Sequence, residues 1–409
     1  MELSSKITNR SGRGKFRLDT WPQILLSRLG SIQIGSIEVH LPHGQKTLLS
    51  GPHVGPSGRL LVKKWDAIRK ILLRGDIAFA EAFISGEIET PDLTELIEVL
   101  ALNRRSLNPN RSRNFFSRLS TRYQHWRKQN SRTQSRKNIS FHYDMGNEFY
   151  KKWLDSGMTY SSALFESEGQ SLERAQENKY RAVAERLNLK PGYKVLEIGC
   201  GWGGFAEFAI RNYDVDVVGI TLSEEQRKFA LNRARLGGFE ERFDVRLQDY
   251  RELHEHFDAI VSIEMLEAVG ENYWPVYFKT IHRCLKPGGK ASLQVITIDE
   301  SLFDEYRANP DFIQLTIFPG GMLPTVKTLQ FLSKESGLQY SDEARFGKDY
   351  GCTLKLWQER FKASWPAIKE LGYDDRFFRL WVYYLSYCEG GFRAGNIDVC
   401  HFSLTRAPH

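Results

Sequence analysis

The segment Glu197-Ile198-Gly199-Cys200-Gly201-Trp202-Gly203-Gly204 ends a short apolar run and opens a helical one. Glycines at a strand-to-helix turn let the chain bend sharply and let the backbone come against a ligand. Such a turn serves nicotinamide, flavin and adenosylmethionine sites alike, and two details decide among them. A dinucleotide fingerprint spaces its glycines G-x-G-x-x-G and places an acid about 20 residues on, at the tip of the second strand. Here the second strand ends in Thr221, and an acid, Glu197, stands directly before the glycines. Its carboxylate is placed to hold the charged amino group of a methionine moiety.

A second chemical feature is the run RFFRLWVYYLSYCEGGF, with Phe377, Phe378, Trp381, Tyr383, Tyr384, Tyr387 and Phe392. Aromatic faces suit a cation in a dry pocket. The same stripe also reads as an aromatic core helix.

Positioning these groups takes an alternation of strands and helices: YKVLEIG (193–199), GGFAEFAIRNY, VDVVGIT (215–221), SEEQRKFALNRARL, FDVRLQDY (243–250), FDAIVSIE (257–264), WPVYFKTIHRCL and GKASLQVIT (289–297). Alternating units predict an α/β fold, a doubly wound parallel sheet with helices on both faces and ligands at the carboxyl ends of its strands. Upstream, SIEVHLP, QKTLLSG and GRLLVKKW read as strands joined by tight turns. WDAIRKILLRG, DIAFAEAFISG and a segment opened by Thr90-Pro91-Asp92 read as helices.

The length of 409 residues and a 41% hydrophobic, 26% charged composition fit a folded protein of two or three domains and exclude disorder. Five cysteines without a C-x-x-C pair read as reduced cytoplasmic thiols, with no metal site expected. The amino terminus lacks an apolar signal core, and no apolar run reaches the ~18 residues of a membrane helix. The formal charge of +7 is local: residues 101–140 hold eleven Lys/Arg and no Asp/Glu, so the remainder is slightly acidic. Phe115, Phe116, Tyr123 and Trp126 interleave with these arginines. A solvated linker, a nucleic-acid patch and a surface for anionic lipid remain open for this belt. The expected boundaries are a small α/β domain at 1–103, the belt at 104–140 and a catalytic domain at 141–409.

VLEIGCGWGGFA resembles motif I of class I S-adenosylmethionine methyltransferases, and its Cys-Gly-Trp-Gly resembles the cyclopropane-fatty-acyl-phospholipid synthase and mycolic acid cyclopropane synthase family. FHYDMGNEFY (141–150), MTYSSALF (158–165), GITLSEEQ (219–226), LQDYRE (247–252), SIEMLEAVG (262–270), FPGGMLP (318–324), FGKDYGCTL (346–354) and YYLSYCEGGFRAG (383–395) follow in the family's order. The match runs over residues 141–406, and the small amino-terminal domain is similar to that of the bacterial phospholipid enzymes.

The resemblance implies a Rossmann-like sheet binding S-adenosylmethionine. Tyr160 and Ser161 would meet the cofactor's carboxylate end, Glu197, Gly199, Cys200, Gly201, Trp202 and Gly203 its methionine part, Thr221 and Gln226 the ribose region, and Asp249 with Tyr250 the adenine, with Leu222 and Gln248 also in the cofactor site. His142, Asp144 and Asn147 would belong to a lid or make structural hydrogen bonds rather than do acid–base work. It also implies a bound bicarbonate as base, with ligands at Ser162, Glu267, Gln294 and Tyr350. Serine and glutamine replace the family's cysteine and histidine there, and Ala268 follows Glu267 where the family often has histidine. Cys388 aligns with a cysteine once suspected as catalytic. The chemistry needs no thiolate, and a pocket-lining role suits it better.

The implied reaction is methyl transfer to the double bond of an unsaturated phospholipid acyl chain through a carbocation, giving a cyclopropane. A methyl-branched chain that keeps its unsaturation is the alternative. RNA or a small molecule as methyl acceptor fits less well, and nucleic acid is not expected as a partner. The belt would dock the enzyme on an anionic membrane at the cytoplasmic face, and a homodimer is possible.

Overall fold

The computed structural model describes residues 20–107 and 145–408. His142, Asp144 and the belt beyond residue 107 lie outside the described residues.

The amino-terminal region folds around a four-stranded sheet of β1 (Ile34–His40), β2 (Lys46–Ser50), β3 (His53–Val62) and β4 (Ile88–Glu89), ordered β2-β1-β3-β4. The pair β1 and β3 is parallel, and the outer pairs are antiparallel. Ile37 and Val39 on β1 and Leu60 and Val62 on β3 are buried, the period-two pattern of a half-buried sheet. Helix Leu93–Leu102, capped by the Asp92 carboxylate on the Glu95 amide, crosses β3 so closely that a side chain at Gly58 would overlap Leu96. A helix the sequence reading did not anticipate, Thr20–Leu29, packs on Trp65–Arg74.

The larger sheet comprises β5 (Lys194–Ile198), β6 (Asp216–Thr221), β7 (Phe243–Leu247), β8 (Phe257–Ile263), β9 (Leu285–Ile298), β10 (Leu338–Arg345) and β11 (Ile397–Arg406). Its order is β10-β11-β9-β8-β5-β6-β7. Five strands are parallel, as expected, and β11 and β10 extend the sheet in antiparallel pairing. The last two strands were not foreseen. Most of β11 is buried on both faces and its inner positions include His401 and Ser403, so no alternation of apolar and polar residues marks it. The strand order reverses between β5 and β8, which puts a ligand crevice beyond their carboxyl ends.

Helix Asp375–Arg393 joins the two regions. Arg379 donates to the Phe83 and Ile88 carbonyls at 2.6 and 3.2 Å, and Thr94 donates to Glu389 at 3.2 Å. Gly390 lies so tightly on Ile97 that a Cβ there would overlap it. One apolar cluster therefore runs from Leu25 through Leu96 to Trp381 and Val399.

Candidate active site

The crevice beyond β5 is a cavity of about 130 Å³. Gly199 has φ +83° and packs where any side chain would overlap Met265, so both conformation and space require glycine. Trp202 donates from Nε1 to Asn147 Oδ1 at 2.7 Å, which ties the short helix Asn147–Tyr150 to the glycine turn. Glu197 at the end of β5 is buried, and its Oε2 has no hydrogen-bond partner in the protein. Burial raises its pKa well above the carboxylate range, which Lys179 and Arg233 only partly offset. An orphaned buried carboxylate oxygen at a ligand crevice fits the ammonium of S-adenosylmethionine.

Thr221 donates to Gln226 Oε1 at 2.8 Å, which leaves the Gln226 amide nitrogen to serve a ribose. Asp249 is held by the guanidinium of Arg251 at 2.6 and 2.8 Å, and the buried Tyr250 hydroxyl lines the same end. Cys200, Gly201, Leu222 and Gln248 complete this wall. Two expected contacts are modified. Gly203 does not line the cavity; at φ +83° it caps the next helix and packs on Phe243 and Ala230. The Ser161 hydroxyl lines it but already accepts from Lys179 Nζ at 2.7 Å. Lys179 is fully buried, and burial lowers its pKa to about 8 against the pull of Glu264, Asp155 and Glu197.

A second, larger cavity of about 450 Å³ adjoins the first. Its wall is predominantly apolar and comes from both regions: Leu29, Ile71, Phe79 and Leu96 on one side, Ile296, Phe318 and Leu354 on the other. Sequence reasoning found no chemical role for the amino-terminal region, because its share is a wall of ordinary core residues. The aromatic run near the carboxy terminus divides into two faces. Phe377 and Trp381 pack on Phe149 as core, whereas Tyr383, Tyr384, Tyr387 and Phe392 line the cavity.

Tyr160, Glu264, Met265 and Ala268 line both cavities. Tyr160 and Tyr384 join hydroxyls at 2.7 Å across the junction. Glu264, immediately after β8, is the residue the motif reading passed over. Its Oε1 accepts from the Ser162 amide at 2.8 Å and from Gln294 Nε2 at 2.7 Å, and its Oε2 accepts from the Tyr350 hydroxyl at 2.7 Å. Three donors and no acceptor define a site for a carboxylate anion. Burial nevertheless leaves its pKa raised. Glu264 also has φ +51°, a left-handed conformation that only glycine adopts freely. A strained backbone and a buried charge at one residue point to chemistry rather than packing.

Three of the four expected bicarbonate ligands thus converge, but on Glu264. The Ser162 hydroxyl turns away to the Ala163 carbonyl at 2.9 Å, and only its backbone amide takes part. The donors of Gln294 and Tyr350 are spent on Glu264, so this cradle does not fit an additional bicarbonate ion. Glu267 lies apart from it: Oε1 accepts from the Ile296 amide and Oε2 has no partner. Burial and the neighbouring Glu264 push its pKa up to about 8, which favours its protonated form. Cys388 lines the larger cavity, where burial and Asp311 raise its pKa. A thiol so held is not a nucleophile. The signal that could have found Glu264 was its place, an acid at a strand tip beside the switch point.

Residues 130–402 match the family model for mycolic acid cyclopropane synthetase. Tuberculostearic acid methyltransferase UfaA1 of Mycobacterium tuberculosis is 34% identical over 95% of this chain and 96% of its own. Cyclopropane-fatty-acyl-phospholipid synthase of Escherichia coli is 42% identical over 65% of this chain and 66% of its own. The crystal structure of mycolic acid cyclopropane synthase CmaA1 with SAH and CTAB superposes with a TM-score of 0.61 at 31% identity, covering 66% of this chain and 98% of that one.

Proposed function

Because this chain belongs to the mycolic acid cyclopropane synthetase family of S-adenosylmethionine-dependent methyltransferases that act on unsaturated lipids, we propose that it methylates a double bond in a phospholipid acyl chain, with Glu264 as the base. The observation that carries the reading is the shared lining of the two cavities, with a carboxylate that accepts three hydrogen bonds at the junction.

S-adenosylmethionine bound by Glu197, Gln226 and Asp249 supplies an electrophilic methyl. The apolar cavity holds the acyl chain against that methyl and excludes water, so that the carbocation left on the chain is not hydrated. Tyr160, Tyr384 and Phe392 line that cavity, and aromatic side chains suit a cation in a dry pocket. Glu264 then takes a proton from the newly attached methyl group.

If a hydride first moves from the methylated carbon to its cationic neighbour, the released electron pair forms an exocyclic double bond. If it does not, the pair closes a cyclopropane. We favour the first product, a methyl-branched chain that keeps one double bond. The relative aligned over nearly its whole length is named for tuberculostearic acid. The match to cyclopropane synthases supports the ring as the second reading. The basic belt, outside the described residues, is assigned to docking on anionic lipid at the membrane surface. Incubation with labelled cofactor and unsaturated phospholipid vesicles tests the function: each product gains one CH₂, but only the alkene is cleaved by ozone. Label incorporation with ozone-resistant chains would select the ring, and no incorporation would reject the function.

A further inference from the structure

Behind Gln294 stands a residue to which neither the motif reading nor the reaction assigns a task. His401 on β11 is opposite Gln294 on β9 in the antiparallel register, and its Nε2 lies 2.7 Å from Gln294 Oε1. It is buried, with its ring against Phe346 at a centroid distance of 4.5 Å.

The hydrogen atoms in this chain can be placed by elimination. Gln294 Nε2 faces Glu264 Oε1 at 2.7 Å and the Ser162 carbonyl at 3.3 Å, both pure acceptors. The nitrogen end of the amide therefore points at Glu264 and the oxygen end at His401. His401 Nε2 must carry the hydrogen and donate. With the other tautomer the ring would attract the amide nitrogen, the amide would flip, and its oxygen would oppose the carboxylate.

We propose that His401 is a positioning residue for the reaction: as the Nε2–H tautomer it fixes the Gln294 amide so that its nitrogen keeps donating to Glu264 and holds that carboxylate aimed at the junction. The inference rests on Glu264 being the base. The groups facing Glu264 are the Ser162 amide, the Gln294 amide, the Tyr350 hydroxyl, the Lys179 ammonium and the Glu267 carboxyl. Those facing His401 are Gln294, the Phe346 ring and the more distant Arg186 and Lys179 cations. Burial, aided by those cations, holds the imidazole neutral by lowering its pKa well below the ordinary value. A neutral ring keeps one proton, and Gln294 dictates where it sits.

The test is the dependence of kcat and KM on pH for His401→Phe, His401→Gln and Glu264→Gln in the full-length enzyme with phospholipid vesicles. Phenylalanine keeps the ring on Phe346 but removes the donor; glutamine restores one. His401→Phe is expected to lower kcat on the order of tenfold, to move the acid limb up by about one pH unit, and to leave KM for the cofactor unchanged. His401→Gln should recover the limb. An unmoved acid limb in His401→Phe, with Glu264→Gln inactive, would overturn the positioning role alone. Full activity in Glu264→Gln would instead remove the base on which it rests. Should the phenylalanine variant not fold, histidine ¹³C and ¹⁵N shifts of the parent decide: the Nε2–H tautomer is expected, and an Nδ1–H tautomer or an imidazolium would overturn the proposal.

Discussion

Gln294 holds Glu264 at two points: its carbonyl accepts the Glu264 amide at 2.8 Å and its side-chain amide donates to Glu264 Oε1 at 2.7 Å. The first bond continues the β8–β9 ladder past its last pair, Ile263 with Gln294. The second fixes the carboxylate of a residue whose backbone is already left-handed. Glu264 is thereby fixed where cofactor crevice and acyl cavity meet.

Tyr350→Phe deletes one of the three donors to Glu264. A hydrogen bond to a charged group contributes about 1.5–3 kcal/mol, which corresponds to about 1–2 pH units in the carboxyl pKa. Losing a donor to the anion raises that pKa, so the acid limb of kcat should move to higher pH. A profile of kcat against pH checks this, and a downward shift would be incompatible with an ionised Glu264 as base.

Glu197→Gln replaces the carboxylate that faces the cofactor's ammonium. Affinity for S-adenosylmethionine is expected to fall by about 10- to 100-fold. Calorimetric titration measures it. Unchanged affinity would place the amino group elsewhere.

Glu267 is a contrast to Glu264. Its folded pKa of about 8 lies above its unfolded value, so the folded state gains stability from the protonated form at low pH and loses that advantage as pH rises toward 8. Glu267→Gln should therefore gain melting temperature relative to the parent above pH 8 while keeping most of its turnover. Loss of turnover as complete as in Glu264→Gln would show that Glu267 takes the proton instead.

Ile71→Trp fills part of the acyl cavity from the amino-terminal side, at a residue that does not line the cofactor crevice. KM for phospholipid should rise while cofactor affinity stays as it was. Equal KM values for vesicles of short-chain and long-chain lipid, both as in the parent, would mean that the chain does not occupy this cavity.

The cofactor crevice was legible in the sequence because a strand, a glycine turn and a helix are contiguous, and Glu197 reports its ligand by standing beside them. Gly203 shows the limit of that reading, since one glycine of the turn serves packing on Phe243 rather than the ligand. Glu264 was not legible, because its meaning depends on donors from residues 162, 294 and 350, which only the folded sheet brings together. The acyl cavity was hidden for a similar reason. Leu29, Phe79 and Leu96 are unremarkable core residues until helix Asp375–Arg393 docks against their region.

Glu264→Gly with and without added bicarbonate tests the central assignment most directly. Glycine accepts a φ of +51° without strain, which offsets part of the cost of leaving three buried donors unpaired. Turnover in bicarbonate-free buffer is expected to disappear and to return in part when bicarbonate is added, because the Ser162 amide, the Gln294 amide and the Tyr350 hydroxyl would then surround a carboxylate-sized gap. Undiminished turnover of Glu264→Gly without bicarbonate would show that the carboxylate at the junction is not the base.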